Sequence, residues 1–295
     1  MKARDLVLAL VVAVVWGFTF VVIEVGLESF PPLLFSALRF FAAAVPAVFF
    51  VRRGNVPWSV IVSVGLVFGA GYFGLLFVGM ERGVPAGLSS LVVQIQAAFT
   101  AILAAALLKD PPVAAQKLGM TIAFAGIGLI AWEFVGESSA LGLSLVLASA
   151  FVWALSNIIL KRAGSIDMFR LMVWMSLVPI LPLLGMSALF ESGQMEALAS
   201  LDVKGIGAVL YVGYGATVFG FGVWGDLFKR YPPNVVAPFS LLVPIFGMTF
   251  SWLLLGEQFT LLKLGASLLV FIGLATNVLG RMRHDAACAH RQSCR

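Results

Sequence analysis

The chain has 295 residues, 61% of them hydrophobic and only 11% charged, with a net charge of +5 and a mean hydropathy of +1.05. Soluble domains carry about 25% charged residues, so this composition excludes a soluble globular enzyme and leaves no room for a separate soluble domain. The positive charges are spread over alternate loops without forming a patch, which argues against a nucleic-acid surface and for membrane topology.

Ten apolar spans are predicted at 6–24, 33–51, 59–80, 86–108, 115–134, 141–161, 168–190, 205–228, 234–255 and 262–280. Each is long enough to cross about 30 Å of hydrocarbon. The first lacks an Ala-x-Ala site and is followed by nine more, so it reads as an uncleaved helix. Turn signals separate the spans, among them Pro31-Pro32, Gly54-Asn55, Pro111-Pro112, Gly136, Gly164 and Pro232-Pro233. Residues 281–295 read as a basic disordered tail. The tail holds both cysteines, Cys288 and Cys294, and both histidines, His284 and His290. No disulfide, zinc site or His-based catalysis is therefore expected in the spans.

The sequence repeats itself. Residues 6–24 align without gaps onto 143–161, which sets Trp16 on Trp153 and Glu24 on Lys161. AAFTAILAAALLKD (97–110) aligns onto PIFGMTFSWLLLGE (244–257), with Lys117-Leu118-Gly119 matching Lys263-Leu264-Gly265 just beyond. Five spans lie in each unit, and an odd-span repeat inserts its second copy upside down. The expected fold is an all-α membrane protein with ten transmembrane helices in two inverted five-helix repeats around a central cavity. The units are 1–136 and 137–281, with 282–295 as a basic cytoplasmic tail. Asp110 and Glu257 are read as repeat-related helix-start residues that complement a helix dipole.

Orientation follows from the 19 Lys and Arg. Arg39 lies inside span two, and Arg82, Lys204 and Lys263 fall on one side of the membrane. The other 15 share the opposite side with the N-terminus. This bias predicts both termini in the cytoplasm.

Polar side chains inside spans are expected to face the bundle interior. Gln94 and Gln96 in span four offer amides able to read a zwitterion, or to bond a neighbouring helix. Trp16 and Trp153 form an aromatic wall or pack structurally, and Thr19, Ser156 and Asn157 lie within a turn of them. Tyr72, Tyr211, Tyr214 and Trp224 are further aromatic candidates. Ser240 lies between Pro238 and Pro244, and Pro244 removes the donor that would cover the Ser240 carbonyl. Pro46, Pro179 and Pro182 are kinks or hinges of the same kind. Arg39 snorkels, pairs with a carboxylate such as Glu24, or binds an anionic group. Span one carries no acid between Leu6 and Ile23.

Trp16-Gly17 with Phe20, Leu38-Arg39-Phe40, the run from Pro244 to Gly256-Glu257 and Lys263-Leu264-Gly265, in this order across two homologous halves, resemble the EamA-type transporters of the drug/metabolite transporter superfamily. Within it the YddG-like amino-acid exporters are the branch suggested. The first half departs from the pattern, with Ala97 in place of Pro244 and Lys109-Asp110 in place of Gly-Glu. The resemblance implies ten helices, with spans one, three, four, six, eight and nine around a cavity, and export of small metabolites across the bacterial inner membrane.

The function expected is a secondary transporter exporting amino acids by alternating access as a uniporter. A proton-coupled drug or metabolite exporter is the alternative and a channel a third. The substrate-binding set is Trp16, Thr19, Tyr72, Gln94, Trp153, Asn157, Tyr214 and Ser240. No catalytic residue, metal or cofactor is expected. The partners are a small-molecule substrate and the lipid bilayer, with no nucleic acid, and monomer and homodimer stay open.

Overall fold

The computed structural model describes residues 1–45, 47–133 and 139–293. Pro46, the turn at Gly136 with the unit boundary beside it, and Cys294 lie outside the described residues, as do the side chains of Cys288 and His290. The described chain is helical, and ten helices are long and apolar enough to cross a membrane. They are Ala3–Ser29, Pro32–Phe50, Trp58–Glu81, Ala86–Leu108, Ala114–Glu133, Ala140–Ala163, Met168–Phe190, Val203–Arg230, Ala237–Leu255 and Leu261–His284, spans one to ten. The chain is a multi-pass integral membrane protein. One end of the bundle holds Ala3 and is called proximal; the other, where Glu81 and Leu255 end their spans, is called distal.

The tail is a correction. The last helix runs Leu261–Ser293, so the described backbone beyond residue 281 is helical and not disordered. Its alanines and arginines are strong helix formers, and they extend a helix that span ten has already nucleated.

Lipid offers helices no hydrophobic reason to associate, so close approach between small residues holds them. Spans five and ten show this most clearly. A Cβ on Gly119 would lie 2.5 Å from the Gly273 carbonyl and 2.6 Å from the Asn277 nitrogen. Ala123 of span five and Ala266 of span ten are buried in the same seam. Elsewhere span one packs on span nine, span three on span six, and span two on span seven. At the distal end Pro32 has no N–H to offer, and the next two donors of span two, on Leu33 and Leu34, reach Glu191 at 2.7 and 3.2 Å. A carboxylate there complements the helix dipole.

The two halves interrupt their helices at matching places. Spans three and eight carry π-helical stretches at Gly65–Tyr72 and Tyr211–Gly220. Spans four and nine carry 3₁₀ stretches at Val93–Ile95 and Ala237–Leu242. Such interruptions leave backbone carbonyls for side chains.

Spans four and nine also end alike. Lys109 and Gly256 both take the left-handed conformation, with φ of 55° and 67°. The next residues bond six back, Asp110 N–H to Ala104 O at 3.2 Å and Glu257 N–H to Ser251 O at 3.3 Å. This is the double C-cap in which glycine normally sits. Asp110 and Glu257 therefore follow helix ends, and the expectation that they start helices is corrected. Lysine at the left-handed position is strained by its Cβ. Lys109→Gly should stabilise the protein by about 0.5–1 kcal/mol, read as a higher melting temperature in detergent; a lower one would contradict the cap.

Candidate functional site

The middle of the bundle collects the interrupted segments. Around it runs a chain of rings contributed by four spans. Trp153 of span six lies 4.9 Å from Tyr72 and 5.8 Å from Phe68, both on span three. Phe68 reaches Phe221 of span eight at 6.2 Å, and Phe221 reaches Trp16 of span one at 5.1 Å. Trp224 continues the chain at 5.1 Å from Trp16. The repeat-related tryptophans are thus the two anchors of one aromatic belt. Trp16 Nε1 donates to the carbonyl of Ala216, inside the π-helical stretch of span eight, at 2.9 Å. Phe68 and Phe221 meet edge-on and the other pairs are tilted; aromatic pairs at such distances are worth about 0.5–1.5 kcal/mol each beyond their burial.

The amides of span four tie it to two different neighbours. Gln94 lies in the 3₁₀ stretch of span four and Ser240 in that of span nine. The Gln94 side chain donates to the Ser240 carbonyl at 3.4 Å. This is the carbonyl that Pro244 leaves without its α-helical donor; the Val243 N–H also reaches it. Gln96, two residues on, faces span six instead. Asn157 Nδ2 donates to Gln96 Oε1 at 2.7 Å and to Thr100 Oγ1 at 3.1 Å. Gln94 is 9% exposed and Asn157 half-buried.

Two of the eight expected residues stand apart. Thr19 returns its hydroxyl to the Val15 carbonyl of its own helix at 2.7 Å, and Tyr211 donates to the same carbonyl at 2.9 Å. Tyr214 is 39% exposed and donates at 3.1 Å to the carbonyl of Val45, which caps the first helical segment of span two. Phe68 and Phe221 were missed. Neither carries a polar tag among 25 phenylalanines, although Phe68 lies one turn before Tyr72.

Arg39 neither reaches the membrane surface nor pairs with Glu24. It is 1% exposed, and its guanidinium lies 3.6 Å from the ring centres of Phe40 and Phe73. Nη1 donates to Thr217 in the π-helical stretch of span eight at 3.0 Å. Stacking on two aromatic faces compensates part of the cost of burying the cation.

Burial divides spans four and nine by depth. Every residue from Ala86 to Ile95 is buried, whereas only Ala98, Ala101 and Ala104 are buried from Gln96 to Leu108. In span nine, Val243, Pro244, Gly247 and Ser251 are buried, and nothing in Ala237–Leu242 is. The bundle is therefore tight at its distal half and loose at its proximal half around these two spans. A separate cavity of about 520 Å³ lies at the distal surface, lined by Glu28, Glu81, Arg82 and Glu191 among others. None of the belt or amide residues lines it.

The description "EamA-like transporter family" matches the chain twice, over residues 4–132 and 140–279. The chain belongs to the EamA-like transporter family. It is a transporter and not an enzyme. The two matches accord with an EamA repeat in each half. Curated relatives agree along nearly the whole length. A protein of Salmonella typhimurium (strain LT2) named "Probable amino-acid metabolite efflux pump" is 42% identical over 97% of this chain and 99% of its own. One of Escherichia coli (strain K12) with the same name is 40% identical over 95% of this chain and 96% of its own. The uncharacterized transporter YoaV of Bacillus subtilis (strain 168) is 27% identical over 90% and 94%. A solved crystal structure superposes with a TM-score of 0.64 at 19% identity, covering 96% of this chain and 99% of that one. At that identity it speaks for the fold alone. In EamA terms, the ten helices, the doubled five-span unit and the transporter class stand as the sequence suggested.

Proposed function

We propose that this EamA protein exports small metabolites, amino acids in the first place, across the bacterial inner membrane by alternating access, as a uniporter driven by the substrate's own gradient. The observation that carries the reading is the junction at mid-bundle. Two repeat-related helix interruptions meet there through Gln94 and the Ser240 carbonyl, beside an aromatic belt joining Trp16 to Trp153. Interrupted helices at a repeat interface are where secondary transporters bind. Amides and backbone dipoles suit a zwitterion without adding charge, and aromatic walls accept varied side chains. The names of the Salmonella and Escherichia relatives support amino acids as the class.

The site is carried by Trp16, Tyr72, Gln94, Trp153, Asn157 and Ser240, with Phe68 and Phe221 added, while Thr19 and Tyr214 serve packing. The units are 1–136 and 137–281, with 282–295 a cytoplasmic tail. The proximal end faces the cytoplasm, as the Lys and Arg bias requires. The tight distal half and loose proximal half then correspond to a conformation closed to the outside. A single cysteine in loop 193–202 should react with an impermeant maleimide from outside the cell, and one at Gly54 should not. The reverse pattern would overturn the orientation.

One observation favours the proton-coupled alternative. Oε2 of Glu24, near the distal end of span one, is buried and, among the described residues, has no hydrogen-bond partner. The test of the main reading is counterflow in proteoliposomes against a panel of amino acids. Saturable uptake into preloaded vesicles is expected. Flux that rises linearly with concentration would favour a channel.

A further inference from the structure

Two acidic residues leave repeat-related helix ends through the same backbone cap, yet they hold different partners. Glu257, after span nine, reaches across the distal end to the start of span four. Its two oxygens accept from the Gly87 N–H at 3.1 and 3.2 Å. A side chain at residue 87 would block this, since a Cβ there would lie 2.7 Å from Glu257 Oε2. Asp110, after span four, instead holds the proximal ends of spans six and ten. It accepts from Lys161 Nζ at 2.6 Å and from Arg281 at 3.0 and 3.2 Å. These bonds, Lys161 first, keep its carboxyl below the usual carboxylate range. Burial pushes the Glu257 carboxyl above its usual value, against the pull of the Gly87 bond.

The register that sets Asp110 on Glu257 sets Asn234 on Gly87. Asn234 carries the first backbone N–H after Pro232-Pro233, so it is the first donor the start of span nine can present. Glu257 makes its contact with span four at the distal half, where that span is fully buried, and Asp110 stays with its cations at the proximal half, where it is not. The Glu191 bond to span two is of the same chemical kind, but the first half has no acid in the corresponding loop at 51–57.

We propose that Glu257 and Asp110 are alternating latches, each closing one end of the transport path by capping the start of the facing broken helix. In the conformation seen here Glu257 caps span four at Gly87. In the opposite one Glu257 leaves Gly87, and Asp110 exchanges Lys161 and Arg281 for the N–H of Asn234, in the short helix Pro233–Val236 that leads into span nine. The proposal rests on the alternating-access reading and adds the contacts that distinguish its two states, as any such equilibrium requires. The latches are unequal. The repeat counterpart of Lys161 is Glu24, so span one offers Glu257 no cation to move to, and Lys263 of span ten already acts on it in this conformation; the distally closed state is the resting one.

The test uses the full chain with Cys288 and Cys294 replaced by serine and one reporter, S90C. Ser90 is buried in the distal half of span four against Gly247. An impermeant maleimide is applied to the membrane face that carries loop 193–202. Glu257→Ala should raise the S90C labelling rate at least about tenfold, the effect of losing one charge-assisted hydrogen bond. In a Lys161→Gln, Arg281→Gln background, where Asp110 keeps only the Asn234 contact to lose, Asp110→Ala should lower the rate below that of the background. Glu257→Gln keeps an acceptor oxygen for Gly87 and should fall between the parent and Glu257→Ala, which covers the case in which the alanine variant does not fold. Equal shifts in the same direction for Glu257 and Asp110 variants, or no shift in either, would overturn the latches. Labelling needs no substrate, so this failure is separable from a failure of amino-acid export.

Discussion

Gly273→Leu should abolish recovery of folded, monodisperse protein, and Gly119→Leu should do the same. At this crossing the two backbones touch. The Cβ of residue 119 would lie 2.5 Å from the Gly273 carbonyl, and no flexible side chain is available to yield. Overpacking a well-packed core costs about 1–3 kcal/mol; against backbone the cost rises past about 4 kcal/mol, the range of the exceptional single mutations. Gly128, also on span five, has open space around its Cβ position. Gly128→Leu should therefore express and elute as the parent does. Size-exclusion profiles of the three variants decide the matter. Equal tolerance of leucine at 119, 128 and 273 would show that spans five and ten do not pack as described.

The second large effect concerns transport. Trp153→Leu and Phe221→Leu should each lower counterflow at least about tenfold while the protein still elutes as a single peak. Trp153 is half-buried, so its loss removes ring contacts with Tyr72 and Phe68 and leaves little empty core behind. At about 0.5–1.5 kcal/mol for each ring pair, two lost pairs correspond to roughly tenfold or more in a rate or affinity. Trp153→Phe should restore most of the activity. Unchanged counterflow in both leucine variants would remove the belt from the transport path.

The helices were legible because hydropathy alone sets them. All ten spans lie within a few residues of the predicted ones, since a span needs only length and apolar composition. The pairing of equivalent positions was also legible, and Trp16 and Trp153 do anchor one belt. What the sequence hides is the direction in which a polar side chain points. Gln94 and Gln96 were read alike as amides for a substrate or a neighbouring helix; that one bonds span nine and the other span six depends on helix rotation. Tyr214 looked like Tyr211, but three residues on it meets span two and donates to Val45, whereas Tyr211 meets span one at Val15. Asp110 and Glu257 were misread because an acid between two apolar runs can end one helix or begin the next. Gly256 was the usable signal, being the residue that a left-handed helix end prefers. Arg39 was judged by its cost in lipid; the rings of Phe40 and Phe73 that enclose it come from sequence-adjacent and distant positions alike.

The absence of a midspan acid from span one bears on energy coupling. A proton exchanged for a substrate needs an ionisable group that both occupy in turn. In the described spans the acids lie near helix ends, at Asp5, Glu24, Glu28, Glu81, Glu133 and Asp226, with Asp226 two residues beyond Trp224. On the proposed reading, a zwitterion held by Gln94, Asn157 and exposed carbonyls would bring compensated charges and need no proton.

The most direct measurement is amino-acid efflux from preloaded proteoliposomes with the pH gradient imposed, reversed and collapsed by an ionophore. Efflux at the same initial rate under all three conditions is the predicted result. Efflux that requires the gradient, and loses that requirement in Glu24→Gln, would contradict uniport and identify a proton-coupled exporter.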